Sequence, residues 1–459
     1  MELTSALPGS DDVKSSKYNL FIPTKDSNKY ILYNTLQDSI LVADFELKEL
    51  LENNKFDDLT EEHLDVLKTM KILVDDGLDE KKVLSFRYCK EKYSSPYSIF
   101  VIFPTLACNL ACKYCYERTS ELSARTMDEK TVVNTISFIK KMAAEDNTRT
   151  ILIKLYGGEP LLNVAACTRI CEEVSSWAQQ LGMQVAVVLQ TNGTLLTEDV
   201  LDALAPYLTY VELTVDGPQK NHDTIRIYKD GSGTYQDIMS AMERVTKRGI
   251  HTALRINIRN EDDLRDVLTD LTERGFREKR GVTFYYAQTS SFGLCELFSN
   301  NKLCHDDEER ALEMSPAVRE VIKELKWMEH LEMPDILQKQ KFVACNNEKK
   351  ARYVIDPYGD IYLCFFRAGQ KEYRAGTLTE GEGQFGSMYY EMLARNPLQF
   401  EECRTCVYLP LCGGGCAMRA YEQSGTFHTN SCGSMKDFAE KRILMYLKRK
   451  YPDRFEKVI

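Results

Sequence analysis

The 459-residue chain reads as an α/β protein built on a parallel sheet, with a small mixed module before the sheet and a cysteine-rich segment after it. Three observations carry that reading. Between residues 98 and 288, six apolar runs alternate with helical patterns. Upstream lie three short strand-like runs followed by two helical patterns. Downstream, seven cysteines are gathered between Cys345 and Cys432.

Taken in order, residues 1–15 are polar and are expected to be mobile. Tyr18–Pro23, Tyr30–Tyr33 and Ser39–Ala43 are the strand-like runs, separated by turn-type stretches at Lys25–Lys29 and Asn34–Asp38. Helical patterns follow at Phe45–Asn53 and Thr60–Thr69, with Thr60 as the expected N-cap, and Asp75–Leu78 reads as a turn. Three strands with two short helices suggest a winged-helix-like module.

Apolar runs then occur at 98–104, 150–156, 184–190, 209–215, 251–258 and 281–287. Helical segments lie between them near 127–144, 163–181, 197–205, 234–248 and 261–273, the first opened by a capping box at Thr126-Met-Asp-Glu129. Parallel strands need crossover connections, and these segments supply them. Residues 289–340 are charged and partly helical, as a bridge would be, and an amphipathic helix is expected from Met435 to Lys450. The domain boundaries that follow are 1–92, 93–288, 289–340, 341–435 and 436–459.

Composition excludes several classes. No run of about 18 apolar residues is present, so no membrane partner is expected and the chain is read as cytoplasmic. The net charge of −10 argues against a nucleic-acid partner. Fifteen cysteines in such a chain are not a disulfide framework. Their clustering points to metal; the scattered ones are ordinary buried side chains.

The first cluster is Cys108-Asn-Leu-Ala-Cys112-Lys-Tyr-Cys115, directly after the first apolar run. Three thiolates on one short loop can hold three corners of a [4Fe-4S] cube and leave the fourth iron open to a small molecule. A zinc knuckle is the rival reading, but structural zinc wants four ligands, and the next candidates are Cys89 and Cys167. Tyr156-Gly157-Gly158-Glu159-Pro160 ends the second run. Two glycines there would let a ligand approach the backbone, with Glu159 as an acceptor. Gln190-Thr-Asn192-Gly193 ends the third. The fourth ends at Thr214-Val-Asp216-Gly-Pro218, before His222-Asp223 and Arg226. Asp216 and His222 either contact substrate or stabilise the turn; Asn192 and Arg255 are further candidates for the same mouth.

Together these motifs resemble the radical S-adenosylmethionine (SAM) enzymes, and the sequence after the fourth strand is similar to that of sulfatase-maturing and peptide-modifying members. The resemblance spans residues 98–435. It implies a partial (β/α)6 TIM-type barrel with its site at the C-terminal strand ends. It also implies SAM contacts from Tyr114, Gly157, Gly158, Glu159, Pro160, Asn192, Asp216 and Arg226, the last through the SAM carboxylate. The distal spacing, Cys345-x13-Gly359-x4-Cys364 and then Cys403-x2-Cys406-x5-Cys412-x3-Cys416-x15-Cys432, resembles the SPASM extension. That resemblance assigns Cys403, Cys406, Cys412 and Cys432 to an outer auxiliary cluster, and Cys345, Cys364 and Cys416 to an inner one. A pair of zinc sites is the alternative. The inner set has only three cysteines unless Cys295 or Cys304 folds back as a fourth.

The implied cofactors are three [4Fe-4S] clusters and SAM. The implied partners are a precursor peptide, whose leader the N-terminal module recognises, and a flavodoxin- or ferredoxin-type electron donor. The implied activity is reductive cleavage of SAM to a 5′-deoxyadenosyl radical that installs a crosslink in the peptide, a cysteine thioether by preference. Carbon–carbon crosslinking and formylglycine formation in sulfatases are the alternatives.

Overall fold

The computed structural model describes residues 12–115, 124–288, 316–332, 340–433, 435–451 and 455. The chain divides into two compact units. One is formed by Met1–Ser94, Pro334–Asn346 and Arg395–Ile459, the other by Ser95–Met333 and Asn347–Ala394. The segment 341–435 thus contributes to both.

In the first unit, β1 (Val13–Ser15) pairs antiparallel with β5 (Leu73–Asp75). Residues 13–15 are therefore ordered in a ladder, against the expectation of a mobile start. Three residues are too few for a period to show in sequence. β2 (Asn19–Pro23), β3 (Lys29–Asn34) and β4 (Ser39–Asp44) form a three-stranded antiparallel sheet. Alternation decides its faces. Leu20, Ile22, Ile31 and Tyr33 pack with Leu411 and with Ala439, Ile443 and Leu447 of the helix Met435–Lys450. Leu32 and Ala43 point the other way, onto Leu51, Phe56, Leu67 and Ile72. Those residues come from α1 (Phe45–Asn53), α2 (Glu61–Thr69) and the turns around them, with Thr60 capping α2 by accepting from His63 N. Helix α3 (Glu80–Tyr93) follows; its weak amphipathicity hid it in the sequence.

The second unit holds the parallel sheet. β6 (Tyr97–Ile102), β7 (Thr150–Leu155), β8 (Gln184–Gln190), β9 (Leu208–Asp216), β10 (His251–Ile258) and β11 (Val282–Gln288) lie side by side in chain order, all parallel. The crossovers carry α4 (Glu129–Glu145), α5 (Val164–Gln180), α6 (Glu198–Leu204), α7 (Gln219–Ile225), α8 (Tyr235–Lys247) and α9 (Glu261–Glu273). Ile151, Ile153, Leu155, Val187, Leu189, Val211, Leu213 and Val215 form one face of the strands and are fully buried. The other face carries the polar residues discussed below. α10 (Pro316–Glu324) packs on α9 and brings Trp327, fully buried, edge-on to Phe284.

The capping box is not used at α4. Asp128 is the cap, accepting from Thr131 N, while Thr126 bridges to Thr105, with their hydroxyls 2.8 Å apart. On the far side of β6, β12 (Arg352–Ile355) extends the sheet in parallel. β13 (Asp360–Tyr362), β14 (Gly376–Thr379) and β15 (Glu382–Phe385) continue it antiparallel. Among the described residues no helix is long and apolar enough to cross a membrane.

Candidate active site

The cysteine loop leaves the C-terminal end of β6. Its backbone is pinned from outside: Ala111 N and Lys113 N donate to Ile227 O and Ile225 O at 2.7 and 3.1 Å. Leu110 N lies 3.4 Å from Cys108 Sγ, and Asn192 Nδ2 lies 3.9 Å from the same sulfur. Burial pushes the Cys108 thiol up to about 12, and Glu159, Cys112 and Cys115 push it the same way. The Cys108 thiol thus sits in a desolvated part of the loop where it does not lose its proton readily on its own. A bound cation is what makes such a set chemically reasonable. N–H groups directed at sulfur are a means by which proteins tune clusters.

The Gly157-Gly158 step lies directly against this loop. A Cβ on Gly158 would sit 2.1 Å from Ala107 O, and one on Gly157, where φ is +127°, 2.5 Å from Thr105 O. Gly158 N and Glu159 N donate to Thr105 O and Ala107 O. The close approach that these glycines permit includes that of the cysteine loop itself. Glu159 is fully buried and acts as an acceptor within the protein. Its carboxylate accepts from Leu161 N (3.0 Å), Thr191 Oγ1 (2.7 Å) and Asn192 N (2.8 Å). It ties the end of β7 to the end of β8. Pro160 opens the short 3-10 turn Pro160–Asn163, where its fixed φ suits the first position.

Asn192 then reaches back, donating to Asn109 Oδ1 at 2.9 Å, while its own Oδ1 accepts from Thr194 N and Thr194 Oγ1. At the end of β9, Asp216 accepts from Tyr114 OH (2.8 Å), Arg226 Nε (3.1 Å) and Asn257 Nδ2 (2.6 Å). Arg226 Nη2 also donates to Tyr114 OH. Arg226, expected to meet a carboxylate of SAM, already holds one from the protein. Burial works against the Asp216 carboxylate, but Arg226 and the other donors prevail and hold it below its ordinary range. His222 is fully buried. Its Nδ1 accepts from Asp216 N and its Nε2 pairs with Thr234 Oγ1, both at 3.0 Å, so it braces the turn and does not face the mouth.

Beneath the mouth the same strands carry polar groups, of which the sequence reading named Arg255 and Gln190 and passed over Lys154, Glu212 and Tyr285. Lys154 Nζ of β7 stands 4.0 Å from Glu212 Oε2 of β9, and Tyr285 of β11 donates to Glu212 Oε1 at 2.9 Å. Arg255 of β10 donates through Nε to Asn257 Oδ1 at 3.0 Å. Gln190, in register with Glu212, keeps Oε1 buried without a hydrogen-bond partner. The signal was in the alternation: Lys154, Glu212 and Arg255 fall on the face opposite the fully buried Ile153, Leu213 and Leu254.

Of the distal cysteines, Cys403, Cys406, Cys412 and Cys432 all lie in the first unit. Burial pushes both Cys403 and Cys412 up to about 12, and each is raised further by Cys406 and Cys432. Gly414 N is directed at Cys412 Sγ at 3.4 Å. The surrounding turns are held by Arg395, fully buried, which donates to Phe427 O, Gly414 O and Thr429 O. Four mutually interacting thiols with an inward N–H fit a cluster by their donor chemistry. Cys345 and Cys416 lie in the first unit and Cys364 in the second; Cys295 and Cys304 fall outside the described residues. Among the described residues, no three His, Cys, Asp or Glu side chains converge as a single ion would need.

Comparison with known proteins agrees with this geometry. Residues 102–271 match the model of the radical SAM superfamily. An uncharacterized protein of Archaeoglobus fulgidus is 23% identical over 372 residues, covering 74% of this chain and 80% of the relative. A cysteine-type anaerobic sulfatase-maturating enzyme of Clostridium perfringens is 22% identical over 374 residues, covering 75% and 96%. Among solved structures, native anSMEcpe with bound AdoMet and a Cp18Cys peptide superposes with a TM-score of 0.53 at 18% identity, covering 79% of this chain and all of that one.

Proposed function

Residues 102–271 being a radical SAM domain, we propose that the chain is a peptide maturase and that its six parallel strands act as a partial (β/α)6 barrel. The single observation that carries the reading is the seam between Gly157-Gly158 and the carbonyls of the cysteine loop, which rests the loop on the ends of β7 and β8. When bound, the cluster and SAM supply a 5′-deoxyadenosyl radical able to take hydrogen from an unactivated carbon. Cys108, Cys112 and Cys115 would hold three irons. Tyr114, Asn192, Asp216 and Arg226 would line the SAM site beside those cysteines, and Glu159 ties the ends of β7 and β8 behind them. Cys403, Cys406, Cys412 and Cys432 would hold an outer cluster; Cys345, Cys364 and Cys416 would hold an inner one. The edges of β2 and β4, which pair with no further strand among the described residues, suit a leader peptide added as a strand.

The product we favour is a thioether between a peptide cysteine and carbon. Its support is the three-cysteine inner set, which leaves one iron for a substrate thiolate unless Cys295 or Cys304 is the fourth ligand. Formylglycine formation is supported equally, by the likeness to a sulfatase-maturating enzyme over 96% of its length.

Anaerobic reconstitution should give about twelve irons per chain, at four per cube. Alanine at Cys108, Cys112 and Cys115 should remove about a third of them and abolish 5′-deoxyadenosine formation. Peptide mass separates the products: a thioether loses two hydrogens and keeps the sulfur, whereas formylglycine made from cysteine loses the sulfur. Zinc in place of iron in oxygen-free preparations would reject the whole assignment.

A further inference from the structure

The polar layer beneath the mouth is unusual in its charge. Three strands bring two cations and one anion together: Lys154, Arg255 and Glu212. Tyr285 is already committed to Glu212, and Asn257 links Arg255 to the network around Asp216. Within the triad of Lys154, Arg255 and Glu212, formal charges leave one positive charge in excess.

The cations are only partly engaged internally, Lys154 Nζ standing 5.7 Å from the Tyr156 ring centroid. Lys154 keeps 31% of its side chain accessible although it projects from the middle of a packed sheet, as a group lining a concavity does. Glu212 is its only ion-pair partner among the described residues, and the 4.0 Å separation leaves that pairing loose. Arg255 uses only Nε; among the described residues its two Nη groups have no hydrogen-bond partner. A guanidinium whose planar fork is open, within electrostatic reach of the Lys154 ammonium, matches a carboxylate better than any neutral group. The buried Oε1 of Gln190 marks the same layer as incomplete; turned over, that amide would offer N–H to an acceptor. Burial among the strands lowers the Lys154 pKa, with Glu212 opposing and Arg255 reinforcing the effect, so a second anion there would be welcome.

We propose that Lys154 and Arg255 form a carboxylate-binding subsite inside the sheet, and that its occupant is an acidic side chain of the peptide segment presented to the radical. The inference deepens the maturase reading and rests on it for the identity of the substrate. Its depth argues for substrate over cofactor. Arg255 is paired in register with Thr214, two residues below Asp216, and Lys154 lies three residues before Gly157, where the cysteine loop rests. A carboxylate on the cofactor is nevertheless the other source of the same chemistry, and the test separates the two.

The probes are the blocked tripeptides acetyl-Gly-Xaa-Gly-amide with Asp, Asn, Glu or Gln at Xaa. They are titrated into the anaerobically reconstituted full chain, with and without SAM, by saturation-transfer NMR and calorimetry. The acidic peptide should bind at least about tenfold more tightly than its amide counterpart. The preference should fall towards unity in Arg255→Gln and in Lys154→Met, and should survive in Lys154→Arg, which keeps the charge. Equal affinity for acid and amide in the wild type would overturn the proposal, and so would a preference that persists in both neutralised variants. Weakened SAM affinity in the two variants, with the acid preference intact, would assign the carboxylate to the cofactor and overturn it as well. Failure of the wild type to cleave SAM at all would instead reject the maturase reading, so the two failures are distinguishable.

Discussion

At the scale of single residues, Gly158 makes the sharpest demand. A methyl group there would need to overlap Ala107 O, a backbone atom that cannot swing away as a side chain can. Gly158→Ala should therefore displace the cysteine loop. Iron bound through Cys108, Cys112 and Cys115 should fall, and 5′-deoxyadenosine formation should drop more than tenfold. Gly77→Ala, with nothing within 4 Å, serves as the control. His222 makes a demand of a different kind. Burial lowers its pKa from 6.5 to about 4. Between those values the unfolded chain binds a proton that the folded chain refuses, so His222 makes stability rise with pH across that window. The contribution is about 3 kcal/mol at most, by the linkage of roughly 1.4 kcal/mol per pKa unit. Chemical denaturation of wild type and His222→Gln at pH 4.5 and 7 should show the difference growing with pH; a constant difference would refute the neutral, bracing role. The cysteine spacing and the glycine pair were legible in the sequence because they are local. The work of the second glycine was not, since nothing in Gly157-Gly158 says which backbone it approaches. Arg226 and Asp216 likewise were readable as site residues, but their mutual pairing was not.

At the scale of elements, all six parallel strands and five crossover helices were legible, because apolar runs of strand length alternated with amphipathic helices. The short pieces were not: β1 and β5 have three residues each, and their pairing spans the whole N-terminal module. Apart from Arg255 and Gln190, the polar face of the strands was also missed, because a run such as Thr150–Leu155 was read as apolar without separating its two faces. The turn between β12 and β13 offers a test of element-level electrostatics. Asp356 is fully buried and accepts from Tyr358 N and Asp360 N at 2.9 Å and from Tyr362 OH at 3.1 Å. Burial nevertheless prevails and raises its pKa from 3.8 to about 6, with Asp360 adding to the effect. Here the folded chain holds the proton more tightly than the unfolded one, so this turn loses stability as pH rises from about 4 to 6, the reverse of His222. Asp356→Asn, which keeps the shape, should gain on the wild type by about 2–3 kcal/mol across that window. A gap that does not change with pH would mean that the carboxyl is ionised throughout.

At the scale of the whole molecule, the N-terminal sheet is not a detachable recognition module. Leu20, Ile22, Ile31 and Tyr33 share one core with Leu411, Ala439, Ile443 and Leu447, next in sequence to the outer cysteines. Deleting residues 1–92 should therefore do more than weaken leader binding. It should also cost the roughly four irons assigned to Cys403, Cys406, Cys412 and Cys432. Iron content unchanged by the deletion would show that this core is dispensable to the outer cluster. Chain order has a further consequence during synthesis. The first unit opens with Met1–Ser94 but needs Arg395–Ile459 to cover the inward face of its sheet. At translation rates of about 5–20 residues per second, that face waits roughly 20–70 s after it leaves the ribosome. The parallel sheet meanwhile has its strands in consecutive order and can close first. A nascent chain of this protein thus carries an uncovered apolar strand surface through most of its own making, and the outer cysteines can receive iron only after the ribosome has passed them.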